Sequence, residues 1–129
     1  MVFGHFYGEC GGEGCVEIYK IEDGKLFEDT LDQYPHSNLV YQGVWVELPQ
    51  AKYDLVRDIL DEVPDQLLQE PEHVLGQPDA GDWGGIYVQV SEPLSGDDYW
   101  LLDKHEGHMI EAYNDFVDKI ETKIELINQ

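Results

Sequence analysis

The stretch that decides the fold is residues 15–29, CVEIYKIEDGKLFED, in which two alternating runs flank an Asp-Gly pair. Asp-Gly between two such runs is the strongest short-range hairpin signal, because both central residues of a type I′ turn need positive φ. The pair here is Asp23-Gly24. Pairing about this turn places Ile21 opposite Leu26 and Lys20 opposite Phe27. The sequence therefore predicts an antiparallel hairpin.

Further strand signals lie on both sides of this hairpin. Short runs rich in aromatic and β-branched residues, bounded by Gly, Pro or Asp, are typical of strands. They predict four more strands, at residues 2–8, 40–48, 86–91 and 99–103. Residues 30–38 carry the turn residues Asp, Pro, Ser and Asn and are predicted to be a loop.

Two segments have the spacing of amphipathic helices. Pro49 suits a helix start, since its missing N–H costs nothing in the first turn, and Pro64 ends the segment. Residues 65–75 are predicted to form one or two helical turns, because Pro71 interrupts the segment. The last segment has an apolar stripe over five turns, formed by Met109, Tyr113, Phe116, Val117, Ile120, Ile124 and Ile127.

This order of elements predicts the fold class. Strands cluster before and after the first helix, without the strand–helix alternation of a parallel sheet. We expect an α+β fold: a mainly antiparallel sheet of about five or six strands, with two main helices packed on one face. The length suits a single domain covering residues 1–129.

The charge balance limits the partners. Asp and Glu number 28 against seven Lys and Arg, giving a formal charge of −21. Such a surface repels nucleic acid and anionic membrane and attracts cationic protein faces. We expect a non-enzymatic protein-interaction domain, an inhibitor or immunity-type partner of a basic protein. Three alternatives stay open: a metal-binding or thiol-dependent protein that uses Cys10 and Cys15, a domain of unseen function adapted to a salt-rich cytoplasm, and a mimic of nucleic acid.

The chain shows no targeting or membrane signal. The first residues, MVFGHFY, lack the basic and apolar regions of a signal peptide, and the longest apolar stretch is too short to cross a bilayer. We expect a cytoplasmic protein in which Cys10 and Cys15 are reduced thiols.

The two cysteines flank a glycine-rich turn, Cys10-Gly-Gly-Glu-Gly-Cys15. A symmetric hairpin here would oppose Cys10 and Cys15, and also Phe6 and Tyr19. Three interpretations remain: a purely structural turn, a redox pair, and a zinc site completed by His105 and His108, with His5 in reserve. The turn leads into a strand and carries glutamates, which excludes a phosphate-binding loop.

A second glycine-rich loop, residues 76–85, carries Trp83 between acidic residues. Trp83, Asp79 and Asp82 are candidates for contact with a partner, because an exposed tryptophan on a loop can anchor an interface. The alternative is that Trp83 folds back and pins the loop to the core. No catalytic residue is predicted: the pattern G-x-S-x-G is absent, and so many carboxylates make any chance pair uninformative.

Overall fold

Seven β-strands in one sheet form the centre of the molecule. The computed structural model describes residues 1–8, 15–81, 83–92, 96–104 and 106–129. The strands are β1 Val2–Phe6, β2 Val16–Glu22, β3 Lys25–Asp29, β4 Trp45–Glu47, β5 Val74–Leu75, β6 Gly85–Glu92 and β7 Gly96–Asp103. The α-helices are α1 Gln50–Val56 and α2 Glu111–Ile127, and 3-10 helices span Arg57–Asp61, Leu67–Gln69 and Glu106–His108.

The strand order across the sheet is β4-β3-β2-β1-β6-β7-β5. Neighbouring strands are antiparallel except β5 and β7, which pair in parallel. The chain therefore builds one half of the sheet outward from β1 to β4, returns through α1, and completes the other half. The α+β class and the mainly antiparallel sheet are confirmed.

The central hairpin has the predicted turn and register. Asp23 and Gly24 have φ values of 51° and 74°, the left-handed pair that a type I′ turn requires. Ile21 pairs with Leu26 and Lys20 with Phe27. The local signal was sufficient here because the turn itself sets the register.

The prediction of five or six strands is wrong, since the sheet has seven. The additional strand, β5, has only two residues and lies in the segment predicted as helical turns. Two residues are too few to show a strand pattern in the sequence. The segment is a strand because it pairs with β7, and next to it the His73 carbonyl accepts a 2.7 Å hydrogen bond from the Leu101 amide. The strand predicted at residues 40–48 is shorter in the structure, where only Trp45–Glu47 form strand β4.

The first predicted helix divides into α1 and the 3-10 helix Arg57–Asp61. Its first residue follows Pro49, as expected. Val56 departs from helical geometry, with φ −122° and ψ −8°, and the chain tightens beyond it. Tight 3-10 turns are frequent at the C-terminal ends of α-helices, and this one continues directly from α1.

The predicted opposition of Phe6 and Tyr19 is wrong. Phe6 pairs with Val16, and Tyr19 pairs with Phe3. Phe6 and Tyr19 belong to separate apolar clusters on opposite faces of the sheet. Because side chains alternate along a strand, burial of both rings in those clusters excludes the symmetric register.

The helices cover one face of the sheet, as predicted. We call this side of the molecule, including the exposed outer surface of residues 50–70 and 111–129, the helix face. The apolar stripe of α2 packs there against α1 and the inward side chains of five strands. The largest fully buried members of this layer are Phe3, Tyr19, Leu26, Ile59, Leu67, Ile86, Trp100, Leu102 and Phe116. Each contributes roughly 1.5–3 kcal/mol through burial, so this layer supplies most of the apolar stabilisation.

The opposite face, the loop face, is covered by residues 30–44 instead of a helix. Its core contains Val2, Phe6, Val16, Ile18, Tyr41, Tyr87, Tyr99 and Leu101. Close approach at its centre depends on Gly4, where an added Cβ would lie 2.2 Å from the Glu17 carbonyl oxygen. Within the described ranges, no helix is long and apolar enough to cross a membrane.

Candidate functional site

Trp83 folds back onto the protein. Its indole Nε1–H donates a 2.8 Å hydrogen bond to Oδ1 of Asp103, a residue at the end of β7 with no exposed surface. The indole also lies 5.6 Å from the His108 ring. These contacts pin the 76–85 loop to the sheet.

Asp103 is the centre of a buried polar cluster. Its other oxygen, Oδ2, accepts hydrogen bonds from the Gln77 amide at 2.7 Å and pairs with His108 Nδ1 at 2.5 Å. A buried carboxylate needs several hydrogen-bond partners to offset its lost hydration, and this one has three, two from the 76–85 loop and one from His108. The cluster thus joins β7, the 76–85 loop and the approach to α2.

A cavity of about 390 Å³ lies beside this cluster, lined by Leu75, Gly76, Gly107, His108, Met109, Ile110 and Tyr113. The Asp103 contact orients the His108 imidazole, as in a general base. However, none of these lining residues is a serine, threonine or cysteine. The Tyr113 hydroxyl donates to Glu70 at 2.8 Å, and burial together with that carboxylate raises its pKa to about 12. The cavity therefore lacks an activated nucleophile among its lining residues.

Asp79, the second predicted contact residue, is also engaged inside the protein. Its Oδ2 accepts hydrogen bonds from the Gly8 amide at 2.7 Å and the Tyr34 hydroxyl at 3.0 Å, and its Oδ1 accepts one from the Gly84 amide at 2.9 Å. Asp79 has φ 57°, a left-handed conformation that aspartate tolerates in turns. The third candidate, Asp82, lies outside the described residues.

Two of the four proposed zinc ligands, Cys15 and His108, lie within the residues that the structure describes. The expectation of reduced thiols is wrong for Cys15, which is disulfide-bonded, so its sulfur could act as a thiolate ligand only after reduction. His108 is hydrogen-bonded to Asp103. Cys10 and His105 lie outside the described ranges. Within those ranges, no group of three or more His, Cys, Asp or Glu residues could hold a metal ion.

The lysines are all committed to partners within the molecule. Five form ion pairs: Lys20 with Glu22, Lys25 with Glu47, Lys104 with Glu121, Lys119 with Glu62 and Lys123 with Asp58. The sixth, Lys52, donates a 2.8 Å hydrogen bond to the Gln129 carbonyl. Exposed pairs of this kind add little stability individually. Their consequence is that little cationic charge is left to balance the surface carboxylates.

The helix face combines carboxylates with exposed leucines. Residues 50–70 and 111–129 together hold 11 acidic and four basic residues. Leu55, Leu60 and Leu68 lie along the first of these segments with 45%, 43% and 38% of their surface exposed. These leucines add apolar area to an otherwise charged surface, which the centre of a protein–protein interface requires.

The loop face contains a second cavity of about 390 Å³, which we call the sheet cleft. Lys20 lines it, with Nζ 5.0 Å from the ring centroids of both Phe27 and Trp45. Tyr41 and Gln89 line it from the covering loop and from β6. The hairpin signal placed Lys20 beside Phe27, but only the fold brings in Trp45, Tyr41 and Gln89, which are distant in sequence.

The fold and these sites define an α+β domain with an acidic surface. No protein-family model, no curated protein and no solved structure matches the chain.

Proposed function

We propose that this protein is a non-enzymatic interaction domain that binds a basic protein, in the manner of an inhibitor or immunity-type partner. The observation that carries the proposal is the internal pairing of its lysines. With 28 acidic and seven basic residues, 28 − 7 = 21 carboxylates have no cation to balance them. A partner with a cationic surface would supply that balance.

The helix face is the surface that best suits this partner. Exposed carboxylates of α2 and of residues 50–70 would attract basic side chains. They include Asp61, Asp65 and Asp115. The exposed leucines Leu55 and Leu60 would supply apolar contact area, which adds the affinity that charge alone does not provide.

In this proposal, Trp83 and Asp79 support the partner surface indirectly. Their polar atoms are satisfied inside the protein, so binding a partner through them would require the 76–85 loop to detach. The helix face needs no such rearrangement, and association without reordering costs less free energy.

The experiment is capture of partners on immobilised protein at low salt, followed by titration calorimetry of the recovered protein. A triple variant, Asp61→Asn, Asp65→Asn and Asp115→Asn, removes charge from the helix face. A matched variant, Asp23→Asn, Glu47→Gln and Glu72→Gln, makes the same charge change at exposed positions elsewhere.

We expect a basic partner with saturable 1:1 binding, weakened at least tenfold more by the helix-face variant than by its matched control. Equal weakening by the two variants would show that only net charge matters and would contradict a defined surface. Absence of any saturable basic partner at low salt would overturn the proposal itself.

A further inference from the structure

β4 is the outermost strand on its side of the sheet and pairs only with β3. Two hydrogen bonds just beyond its ends show which backbone groups face β3. The Thr30 amide donates to the Val44 carbonyl at 2.9 Å, and the Leu48 amide donates to the Leu26 carbonyl at 2.8 Å. Since backbone groups alternate in direction along an antiparallel strand, those of Val46, midway along β4, also face β3.

The backbone groups of Trp45 and Glu47 therefore point away from the sheet. Among the described residues, no hydrogen bond from another segment reaches the amide or the carbonyl of either one. An exposed strand edge of this kind is a template for a further strand, because its N–H and C=O groups can complete another ladder. The edge strand on the other side, β5, has only two residues and offers fewer such groups.

The side chains exposed at the β4 edge are apolar. Val44 and Val46 have 52% and 53% of their surface exposed. They lie on the helix side of the sheet, because Leu48, which points the same way in the alternation, packs against the helix-face core. Edges that stay unpaired in proteins usually carry lysine or proline, or are covered by another segment. Two exposed valines instead favour contact with another apolar strand.

The β4 edge overlaps the longest uncharged stretch of the chain. Residues 33–46 contain no Asp, Glu, Lys or Arg, although 28 of the 129 residues are acidic. The charged residue of β4, Glu47, lies 3.5 Å from Lys25 of the same chain. A basic partner would therefore gain little here. Two copies of a chain with formal charge −21 repel each other least where the contacting surfaces are uncharged, so the edge suits a second copy.

β4 is self-complementary in one antiparallel register. A two-fold axis beside Val46 places Trp45 of each copy opposite Glu47 of the other, and the two Val46 side chains face each other. Each pair of Trp45 and Glu47 then exchanges both of its backbone hydrogen bonds across the axis. The two valines form the closer, non-hydrogen-bonded type of pair, with Cα atoms about 4.5 Å apart. A register centred on Glu47 would instead place two carboxylates directly opposite each other, which is destabilising.

We propose that β4 pairs with β4 of a second copy of this chain, in a two-fold dimer that joins the two sheets edge to edge. The strand has three residues, so the contact is smaller than the roughly 1,200 Å² that stable interfaces bury. We therefore expect a weak dimer, with a Kd of about 0.1–1 mM. This contact uses the sheet edge and does not rest on partner binding at the helix face.

The test is sedimentation equilibrium of the purified protein at concentrations up to about 1 mM, at low salt and at about 0.5 M KCl. We expect a monomer–dimer equilibrium that strengthens with salt, because screening relieves the repulsion between two acidic chains. Binding of a basic partner at the helix face should weaken with salt, so the two associations are distinguishable. A chain that stays monomeric at about 1 mM and high salt overturns the proposal.

Hydrogen exchange of individual amides locates the contact. The Trp45 and Glu47 amides should exchange quickly in dilute protein and become protected as the dimer forms, whereas the Val46 amide should be protected at both concentrations. A dimer in which Trp45 and Glu47 still exchange quickly uses another surface and overturns the assignment. Protection of these amides only by a different protein, with the chain itself monomeric, also overturns it.

A matched pair of variants tests the edge. Glu47→Pro removes an outward N–H without touching the bonds to β3, a position where an edge strand tolerates proline. Glu47→Gln makes the same charge change and keeps the N–H. We expect dimerisation at least tenfold weaker in Glu47→Pro than in Glu47→Gln. Equal dimerisation of the two folded variants overturns the proposal.

A second pair serves if Glu47→Pro does not fold. Val46→Asp places two carboxylates opposite each other at the axis, whereas Leu68→Asp adds the same charge at a residue that is 38% exposed elsewhere on the surface. Val46→Asp should weaken the dimer at least tenfold more than Leu68→Asp. Equal effects of the two substitutions contradict pairing through β4.

Discussion

The Tyr41 hydroxyl donates a 2.5 Å hydrogen bond to the carboxylate of Asp29, which is only 2% exposed. The same carboxylate accepts hydrogen bonds from three backbone amides, those of Leu31 at 3.2 Å, Asp32 at 3.0 Å and Val44 at 2.9 Å. Asp29 therefore holds both ends of the 30–44 segment to β3. This attachment keeps Tyr41 over the loop face and shapes the sheet cleft.

Tyr41→Phe should destabilise the protein by about 1–2 kcal/mol, because it removes one of the donors to the buried Asp29 carboxylate and leaves the Gln33 amide without its acceptor. Urea unfolding measures the loss. Tyr53→Phe is the control for loss of a tyrosine hydroxyl, since Tyr53 is half-buried and no described hydrogen bond involves its hydroxyl. Equal stability of the two variants would show that the Asp29 contact does not hold the segment.

Trp83→Phe should also lower the free energy of unfolding by about 1–2 kcal/mol, since it removes the N–H donor to the buried Asp103. It should leave affinity for a basic partner unchanged. Thermal unfolding and calorimetry of the same variant measure the two effects. A large loss of partner affinity without loss of stability would instead support Trp83 as a direct contact.

Stability should fall as pH rises above about 10. Burial and carboxylate partners raise the pKa values of Tyr34 and Tyr113 from 10.0 to about 12. The unfolded chain then loses these protons at lower pH than the folded protein, so the stabilisation is complete below pH 10 and is lost between pH 10 and 12. Burial shifts the pKa values of Tyr19, Tyr41 and Tyr87 in the same direction.

Urea unfolding across this pH range tests the linkage. The double variant Tyr34→Phe and Tyr113→Phe should show a shallower fall in stability than the wild type. Identical slopes would mean that these hydroxyls ionise equally easily in the folded and unfolded states.

Added KCl should raise stability up to about 0.5 M and little beyond, because the Debye length falls from about 8 Å at 0.15 M to about 3 Å at 1 M. Screening relieves the mutual repulsion of the unbalanced carboxylates. Thermal unfolding in a KCl series measures this. A rise that continues through molar concentrations would favour adaptation to a salt-rich cytoplasm as the origin of the acidity.

Much of the fold follows from local signals. The Asp23-Gly24 turn and the stripe of α2 predicted their elements closely, because turn geometry and helical spacing are properties of neighbouring residues. Strand β5 could not be predicted in this way, since two residues carry no period. The register of β1 against β2 was also missed, because it depends on which face buries Phe6.

The candidate sites depended still more on tertiary structure. The sequence pointed to Trp83 but left open whether it folds back onto the core, and the contact that holds it there is with Asp103, twenty residues away. Gln89 gave no signal at all, since a glutamine in a strand becomes informative only when Tyr87 orients its amide. Long-range hydrogen bonds of this kind have no local pattern.

The central claim is that the unbalanced carboxylates serve to bind a basic protein. The most direct measurement is the dissociation constant of the purified complex across a series of salt concentrations. We predict that log Kd rises steeply and linearly with log salt, and that the slope decreases when Asp61, Asp65 and Asp115 become asparagine. An affinity independent of salt, or a slope unchanged in that variant, would contradict the claim.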